Sequence, residues 1–522
     1  MTEEMMETLN QMLARNIAIL PDRNFLIFED RGISYAEFGQ QTARMAQVMA
    51  AQGLGKGDRI GLYLPSVPLM AVAVFACQRL GAVPLPLSAM FRQDELRRVV
   101  QASGMKAIIA DAMTFAEFAP IRAEFPALGQ CFVTGGAQTD ALDLDALMAL
   151  APDRFDDAPN QMGDVAALFF SSGTTGAPKG ILQSHLNHCS ILRDMMVAHG
   201  SRYGQEVYLC AVPLFTNFGL TATLNLCMYT GGTLILHERW NTDKVLTDIA
   251  HYGATYFGGT PTMYVYMVND YDTTRHNLSS LRVCTTGGSP VPQPVIRRFE
   301  EISGVKVAQV YGATETCGQN VIEPVTGLRR SGAAGLPIGS SRILIVDEAG
   351  ELMPQGEIGE VIIGGDSVAL GYLDDPAATA AAFGPLGWKS GDLGYLDEDG
   401  FLFIVDRKKD VIITGGHNIF PLEVESTLYE HPAVAVCAVV GGPDVAKGEI
   451  PVAIIVKTQG VSVTAEEIQR YCRERLSAYK VPRQVEFIDE MPVEAAKIRK
   501  RDLVAALRDD TLDKFRRQSV SP

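Results

Sequence analysis

The chain has 522 residues, room for about three average domains, and its 47% hydrophobic and 20% charged residues with 49 Gly and 27 Pro exclude disorder, collagen and coiled coil. Lys+Arg 45 against Asp+Glu 61 leaves a net charge of −16. Such an acidic chain, without a long basic run, is poorly suited to gripping nucleic acid or an anionic membrane surface.

From the amino terminus, MTEEMMETLNQ is acidic where a signal peptide needs a basic start, and it reads as an exposed helix. Helical patterns over Tyr35–Gly53 and Pro68–Gly81 alternate with short apolar strands over Arg59–Leu64 and Lys106–Ala110, which predicts an α/β fold with a largely parallel sheet. The longest apolar segment, Leu69–Cys77, falls short of the ~20 residues of a membrane span, so no integral membrane association is expected. From about Pro337 short strands and turns form a β-rich meander. After Arg407 the alternation resumes, with helices over Pro421–His431 and Ala465–Ser477 and strands over Val434–Val440 and Ile450–Val456. A large N-terminal unit, 1–406, and a small α+β unit, 407–522, are the expected division. The run Asp406-Arg407-Lys408-Lys409-Asp410 joins them, and from charge alone it reads as a solvated turn. The nine cysteines show no CxxC and no cluster, so neither a zinc framework nor a disulfide scaffold is indicated, and a cytoplasmic setting is expected.

The most informative segment is LFFSSGTTGAPKG, residues 168–180, an apolar strand running into a loop of Gly, small hydroxyls and Lys179. Backbone amides in such a loop can converge on an anion, glycines permit close approach, and the Lys adds charge, which suits a triphosphate. A Walker A loop is excluded, because Pro178 and Gly180 flank the Lys where that motif needs Gly and Ser or Thr.

This segment resembles the phosphate loop of the adenylate-forming superfamily, which includes acyl-CoA synthetases, amino-acid adenylation domains and beetle luciferases; the chain is most like a bacterial acyl-CoA ligase. TTGGSP at 285–290, YGATET at 311–316, GWKSGDLGYLDEDGFLFIVDRKKDVIITGGHNIFPLEVE at 387–425, SAYKVPR at 477–483 and KIRKRDL at 497–503 follow in the family's order. The resemblance implies a large N-terminal α/β domain with a β-rich subdomain and a small mobile C-terminal domain. It also implies that ATP and Mg²⁺ convert a carboxylate into an acyl-AMP with release of pyrophosphate, and that a thiol, here CoA, then takes the acyl group. On these motifs Ser171, Ser172, Gly173, Thr174, Thr175, Gly176 and Lys179 would cradle the β and γ phosphates. Gly288, Ser289 and Pro290 would line the adenine, with Tyr311 and Gly312 beside it. Thr314 would contact the α-phosphate and Glu315 would hold Mg²⁺. Asp392 would grip the ribose hydroxyls, with Arg407 in support. Lys497 would bridge carboxylate and α-phosphate, Lys409 would be the hinge, and Gly415 and Gly416 would flank pantetheine. Ala495-Ala496 stands before Lys497 where relatives usually carry Thr-Gly.

The acyl pocket implied by the resemblance comprises Val212–Leu226, Tyr256–Tyr264 and Thr285–Gly288, with Phe215, Thr216, Phe218, Tyr256 and Gly287 facing substrate. These stretches hold no Lys, Arg, Asp or Glu, and burying an unpaired charge is costly. The expected substrate is therefore an apolar monocarboxylic acid, fatty, cyclic or aryl. Phe215-Thr216-Asn217 also lacks the Asp with which an adenylation domain holds an ammonium. CoA is the expected acceptor because no carrier-protein domain follows. A stand-alone enzyme loading a carrier protein, a luciferase-like acyl-adenylate oxidase and a weakly catalytic nucleotide-binding protein remain as alternatives, and a homodimer stays open. His185 and His188, spaced i, i+3, lack a third ligand nearby and are expected to be substrate-proximal or structural rather than a metal pair.

Overall fold

Local chemistry starts and stops the helices. Ser34 accepts the Glu37 amide to open Tyr35–Ala51; Pro68 occupies the first turn of Pro68–Leu80, and Gly81, at φ 73°, ends it in the left-handed conformation that other residues resist. A computed structural model describes residues 6–171, 178–288, 293–415, 417–444, 447–494 and 497–516.

Two sheets build the N-terminal part. A nine-stranded sheet runs in the order Leu336–Pro337, Val321–Ile322, Val307–Tyr311, Val283–Gly287, Tyr256–Gly259, Val207–Cys210, Thr233–Leu236, Asn24–Phe28 and Arg31–Ser34. Its inner pairs are parallel and its outer ones antiparallel. The second sheet, around Arg59–Tyr63 and Ala107–Asp111, is parallel throughout. Strands such as Tyr256–Gly259 and Thr233–Leu236 are buried at every residue, because parallel strands are covered on both faces. Ligands of such sheets bind beyond the carboxyl ends of the strands. Here those ends are Gly259, Gly287 and Tyr311.

A separate antiparallel hairpin pairs Val165–Ser171 with Lys179–Ser184, the strands on either side of the Gly- and Thr-rich stretch of the sequence, and Gly371–Tyr372 pairs with its second strand. The β-rich part is antiparallel, joining Arg342–Val346, Gly359–Gly364, Gly387–Leu396 and Leu402–Arg407. In the C-terminal part Val434–Asp444 and Gly448–Lys457 form a long hairpin covered by Pro421–Tyr429 and Lys500–Arg508. All nine cysteines are buried and unpaired.

Two expectations need correction. The first helix starts at Leu9, capped by Thr8, and buries Leu9, Met12, Leu13 and Asn16, so it belongs to the core. The joining run is not all solvated, since Asp406 is 1% exposed. Its two oxygens accept the amides of Arg407 and Leu422 at 2.7 Å each, and those bonds let a carboxylate remain out of water.

Candidate active site

The site forms around one short segment, Tyr311–Glu315, that leaves the carboxyl end of a parallel strand. At its first residue the Tyr311 hydroxyl donates to Asp392 Oδ2 at 2.7 Å, and Arg407 Nε reaches Asp392 Oδ1 at 3.3 Å. Strand pairing sets this up, because Asp392 and Arg407 are opposite one another in their hairpin. Burial and the neighbouring Asp392 charge hold the Tyr311 phenol far above its ordinary pKa, so its proton stays in place as a donor. Gly312 is required next, since a Cβ there would strike the Gly318 carbonyl.

At the far end of the segment, Gln183 Nε2 donates to the Thr314 carbonyl at 2.7 Å and to Asn217 Oδ1 at 3.1 Å. The Tyr372 hydroxyl donates to Glu315 Oε1 at 3.3 Å, and Lys179 Nζ lies 4.7 Å from the centre of the same tyrosine ring. Tyr372 therefore places an ammonium and a carboxylate on one aromatic support, a favourable seat for a cation on a ring face. Among the described residues no cluster of three or more His, Cys, Asp or Glu could hold a metal. Mg²⁺ nonetheless fits Glu315, because that ion keeps most of its waters and takes one or two carboxylates plus substrate phosphates.

Ser171 and Lys179 face each other across the pair of strands Val165–Ser171 and Lys179–Ser184. Ser172, Gly173, Thr174, Thr175, Gly176, Ser289, Pro290 and Gly416 lie outside the described residues, as does the Lys497 side chain. The Lys497 backbone is placed in a two-residue strand pairing with Val493–Glu494. Gly288, at φ 85°, follows Gly287, whose missing Cβ leaves room for the Val310 carbonyl at 2.6 Å. Lys409 is exposed in the turn after Leu402–Arg407, and Gly415, at φ 54°, is exposed with nothing within 4 Å of a Cβ position.

The three expected acyl-pocket stretches do meet. A Cβ on Gly258 would lie 3.1 Å from the Phe218 ring, from Thr285 Oγ1 and from the Tyr256 hydroxyl. Phe215 and Phe218 are half-buried on the same core. Thr216 has a local task, accepting the Gly219 amide at 3.1 Å and donating to the Pro213 carbonyl at 2.7 Å, which turns the chain into a widened π-helical turn over Leu220–Asn225. His185 Nδ1 accepts the Leu9 amide at 3.3 Å and ties the first helix down. His188 sits 3.4 Å from Asn225. Burial pushes the pKa of His185 and His199 down to about 4 and that of His188 to about 3, so all three are neutral at pH 7.

Gln183, Tyr372, Gln319 and His199 are site neighbours that residue patterns alone did not single out. Tyr372 had the only local signal, an aromatic after Gly371 in the run VALGYLDD.

Comparison with known proteins agrees with this geometry. The family model described as AMP-binding enzyme matches residues 13–373, and that of the AMP-binding enzyme C-terminal domain matches 423–497. A 2-succinylbenzoate-CoA ligase of Bacillus subtilis is 35% identical over 93% of this chain and 95% of its own length. A feruloyl-CoA synthase of an Amycolatopsis species is 34% identical over 88% and 91%. The crystal structure of the anthranilate CoA ligase AuaEII with anthranoyl-AMP superposes with a TM-score of 0.91 at 26% identity, covering 98% of this chain and 99% of that one. The chain thus belongs to the AMP-binding, adenylate-forming enzymes, as an AMP-forming acyl-CoA synthetase with a large N-terminal and a small C-terminal domain.

Proposed function

We propose that the protein activates an uncharged-bodied monocarboxylic acid, fatty, cyclic or aryl, as its acyl-AMP and transfers the acyl group to CoA. The observation that carries this reading is the Tyr311–Glu315 segment, strung between a carboxylate suited to a ribose at Asp392 and a cation-bearing corner suited to phosphates at Lys179. The relatives that act on ferulate and anthranilate support the aryl part of that range, and one that acts on long-chain fatty acids supports the fatty part.

A carboxylate is a poor electrophile because resonance and charge repel a thiolate. In this reading its oxygen attacks the α-phosphorus, the bond to the β-phosphate oxygen breaks, and pyrophosphate leaves. Asp392 and Tyr311 fix the ribose, and Lys179 with the loop amides receives the β and γ phosphates. Thr314 and Lys497 stabilise charge developing on the α-phosphate. When bound beside Glu315, Mg²⁺ supplies charge neutralisation to the phosphates. The thiol of CoA then attacks the acyl carbon and AMP departs. Residues 407–522 form the C-terminal domain, which pivots at Lys409 so that Lys497 serves the first step and the Gly415-Gly416 pair passes pantetheine in the second.

The test is a panel of C2–C18, cyclic and aryl acids assayed for pyrophosphate release with and without CoA. Lys497→Ala is expected to abolish adenylation while sparing thioester formation from preformed acyl-AMP. Glu315→Ala is expected to impair adenylation. Equal loss of both steps in Lys497→Ala would overturn the two-state assignment, and a panel that yields no acyl-AMP would overturn the reading itself.

A further inference from the structure

Residues 369–373 form a short tie across the phosphate side of the site. The Ala369 amide donates to the Glu315 carbonyl at 2.9 Å, and the Leu370 and Leu373 amides donate to the Leu182 and Gly180 carbonyls at 2.8 and 2.7 Å. One segment is thus bonded both to the residue that carries the carboxylate and to the strand that begins at Lys179.

Tyr372 repeats that tie with its side chain. Its hydroxyl donates to Glu315 Oε1 at 3.3 Å, and Lys179 Nζ sits over its ring, 4.7 Å from the centre. The tyrosine is itself fixed in place. Its amide donates to Thr379 Oγ1 at 2.9 Å, the Phe383 ring meets its own at 5.3 Å and 73°, and the residue is buried. Burial and the Glu315 charge push the phenol up to about 12, so at pH 7 it meets the carboxylate as a proton donor.

These contacts answer an electrostatic problem. A lysine and a glutamate at one corner attract each other, and an ion pair between them would have to be broken before a phosphate or a metal could use either. Tyr372 gives each a different partner. A ring face attracts an ammonium without neutralising it, and a phenol hydrogen bond orients a carboxylate while leaving its charge in place. Carboxylates that bind metal are commonly held by such an outer partner, whose loss costs about 10–100-fold in metal affinity or activity.

We propose that Tyr372 is a positioning residue for the nucleotide step: its hydroxyl holds Glu315 for Mg²⁺ while its ring seats Lys179 for the triphosphate, so that the two charges stay apart and available. This inference rests on the reading of Glu315 and Lys179 as the metal and phosphate groups of adenylation.

The test is calorimetric binding of α,β-methylene-ATP, whose α–β bridge cannot be cleaved, with Mg²⁺ and with EDTA, alongside thioester formation from preformed acyl-AMP. Tyr372→Phe keeps the ring and loses the hydroxyl. It is expected to bind the metal-free analogue as wild type does and the Mg²⁺ complex roughly tenfold more weakly. Tyr372→Leu loses ring and hydroxyl together and should also weaken the metal-free analogue, by roughly threefold or more. Thioester formation should be unchanged in both variants, because that step uses neither the triphosphate nor its metal. Equal affinity of wild type and Tyr372→Phe for the Mg²⁺ complex, or an equal loss with and without metal, overturns the role of the hydroxyl and leaves the adenylation reading standing. Thioester formation that falls in step with nucleotide binding shows a merely structural tyrosine and likewise overturns the proposal. A wild-type protein that binds the analogue in neither form overturns the adenylation reading and the proposal with it.

Discussion

The ion pair between Lys500 and Glu425 offers a quantitative test of how the C-terminal part is held. Lys500 Nζ lies 2.8 Å from Glu425 Oε1, with side-chain exposures of 20% and 9%. The same carboxylate oxygen accepts the Val439 amide at 2.7 Å. Asp406 adds a second negative charge nearby, and its carboxyl is pushed up to about 6, first by burial and in smaller part by Glu425. Lys500→Met keeps the aliphatic stem and strands Glu425. Breaking a buried pair costs about 3–5 kcal/mol, and a loss of that size is expected at pH 7. Because a two-domain chain does not unfold in one step, the assay is urea-dependent hydrogen exchange of the Val439 amide and the helix Pro421–Tyr429. Lys500→Met combined with Glu425→Leu should recover most of the loss. A penalty under ~1 kcal/mol at pH 7, or additivity in the double variant, would refute the pairing argument. Lys500 lies three residues after Lys497, so loosening this anchor should also slow adenylation more than thioester formation.

Other outcomes follow from the same geometry. His185, His188 and His199, with folded pKa values near 4, 3 and 4, take up protons only on unfolding. Their contribution is complete above ~6.5 and lost as pH falls toward 4, amounting at pH 5 to about 2 kcal/mol each on the usual linkage relation; a urea midpoint unchanged between pH 7.5 and 5 would contradict this. Gly312→Ala drives a methyl into the Gly318 carbonyl and should cost ~1–3 kcal/mol or more by thermal denaturation, with adenylation falling alongside; a fully stable variant would show that the backbone yields there. Asp392→Ala removes the acceptor of Tyr311 and Arg407 and should weaken AMP binding by ~1.5–3 kcal/mol in calorimetry, and unchanged affinity would rule out the ribose grip.

The amino-acid order alone determined the α/β class and the membership of the AMP-binding enzymes, because the motifs that carry them are contiguous runs whose glycines, hydroxyls and charges must adjoin one another; that Asp392 and Arg407 face each other across a hairpin was set by strand pairing. Helix ends were legible for the same reason, as at Ser34 and at Pro68 with Gly81. Burial was not legible. The acidic start gave no sign that Leu9 to Asn16 would pack inward, and the run around Asp406 gave none that its first carboxylate would be withdrawn from water and fixed by the Leu422 amide. Only the tertiary structure set Tyr372 under Lys179 and beside Glu315, and Gln319 against His199 and Tyr256. These groups come from strands and turns far apart in the chain, and their shared dielectric and hydrogen-bond needs arise only once the sheets have packed.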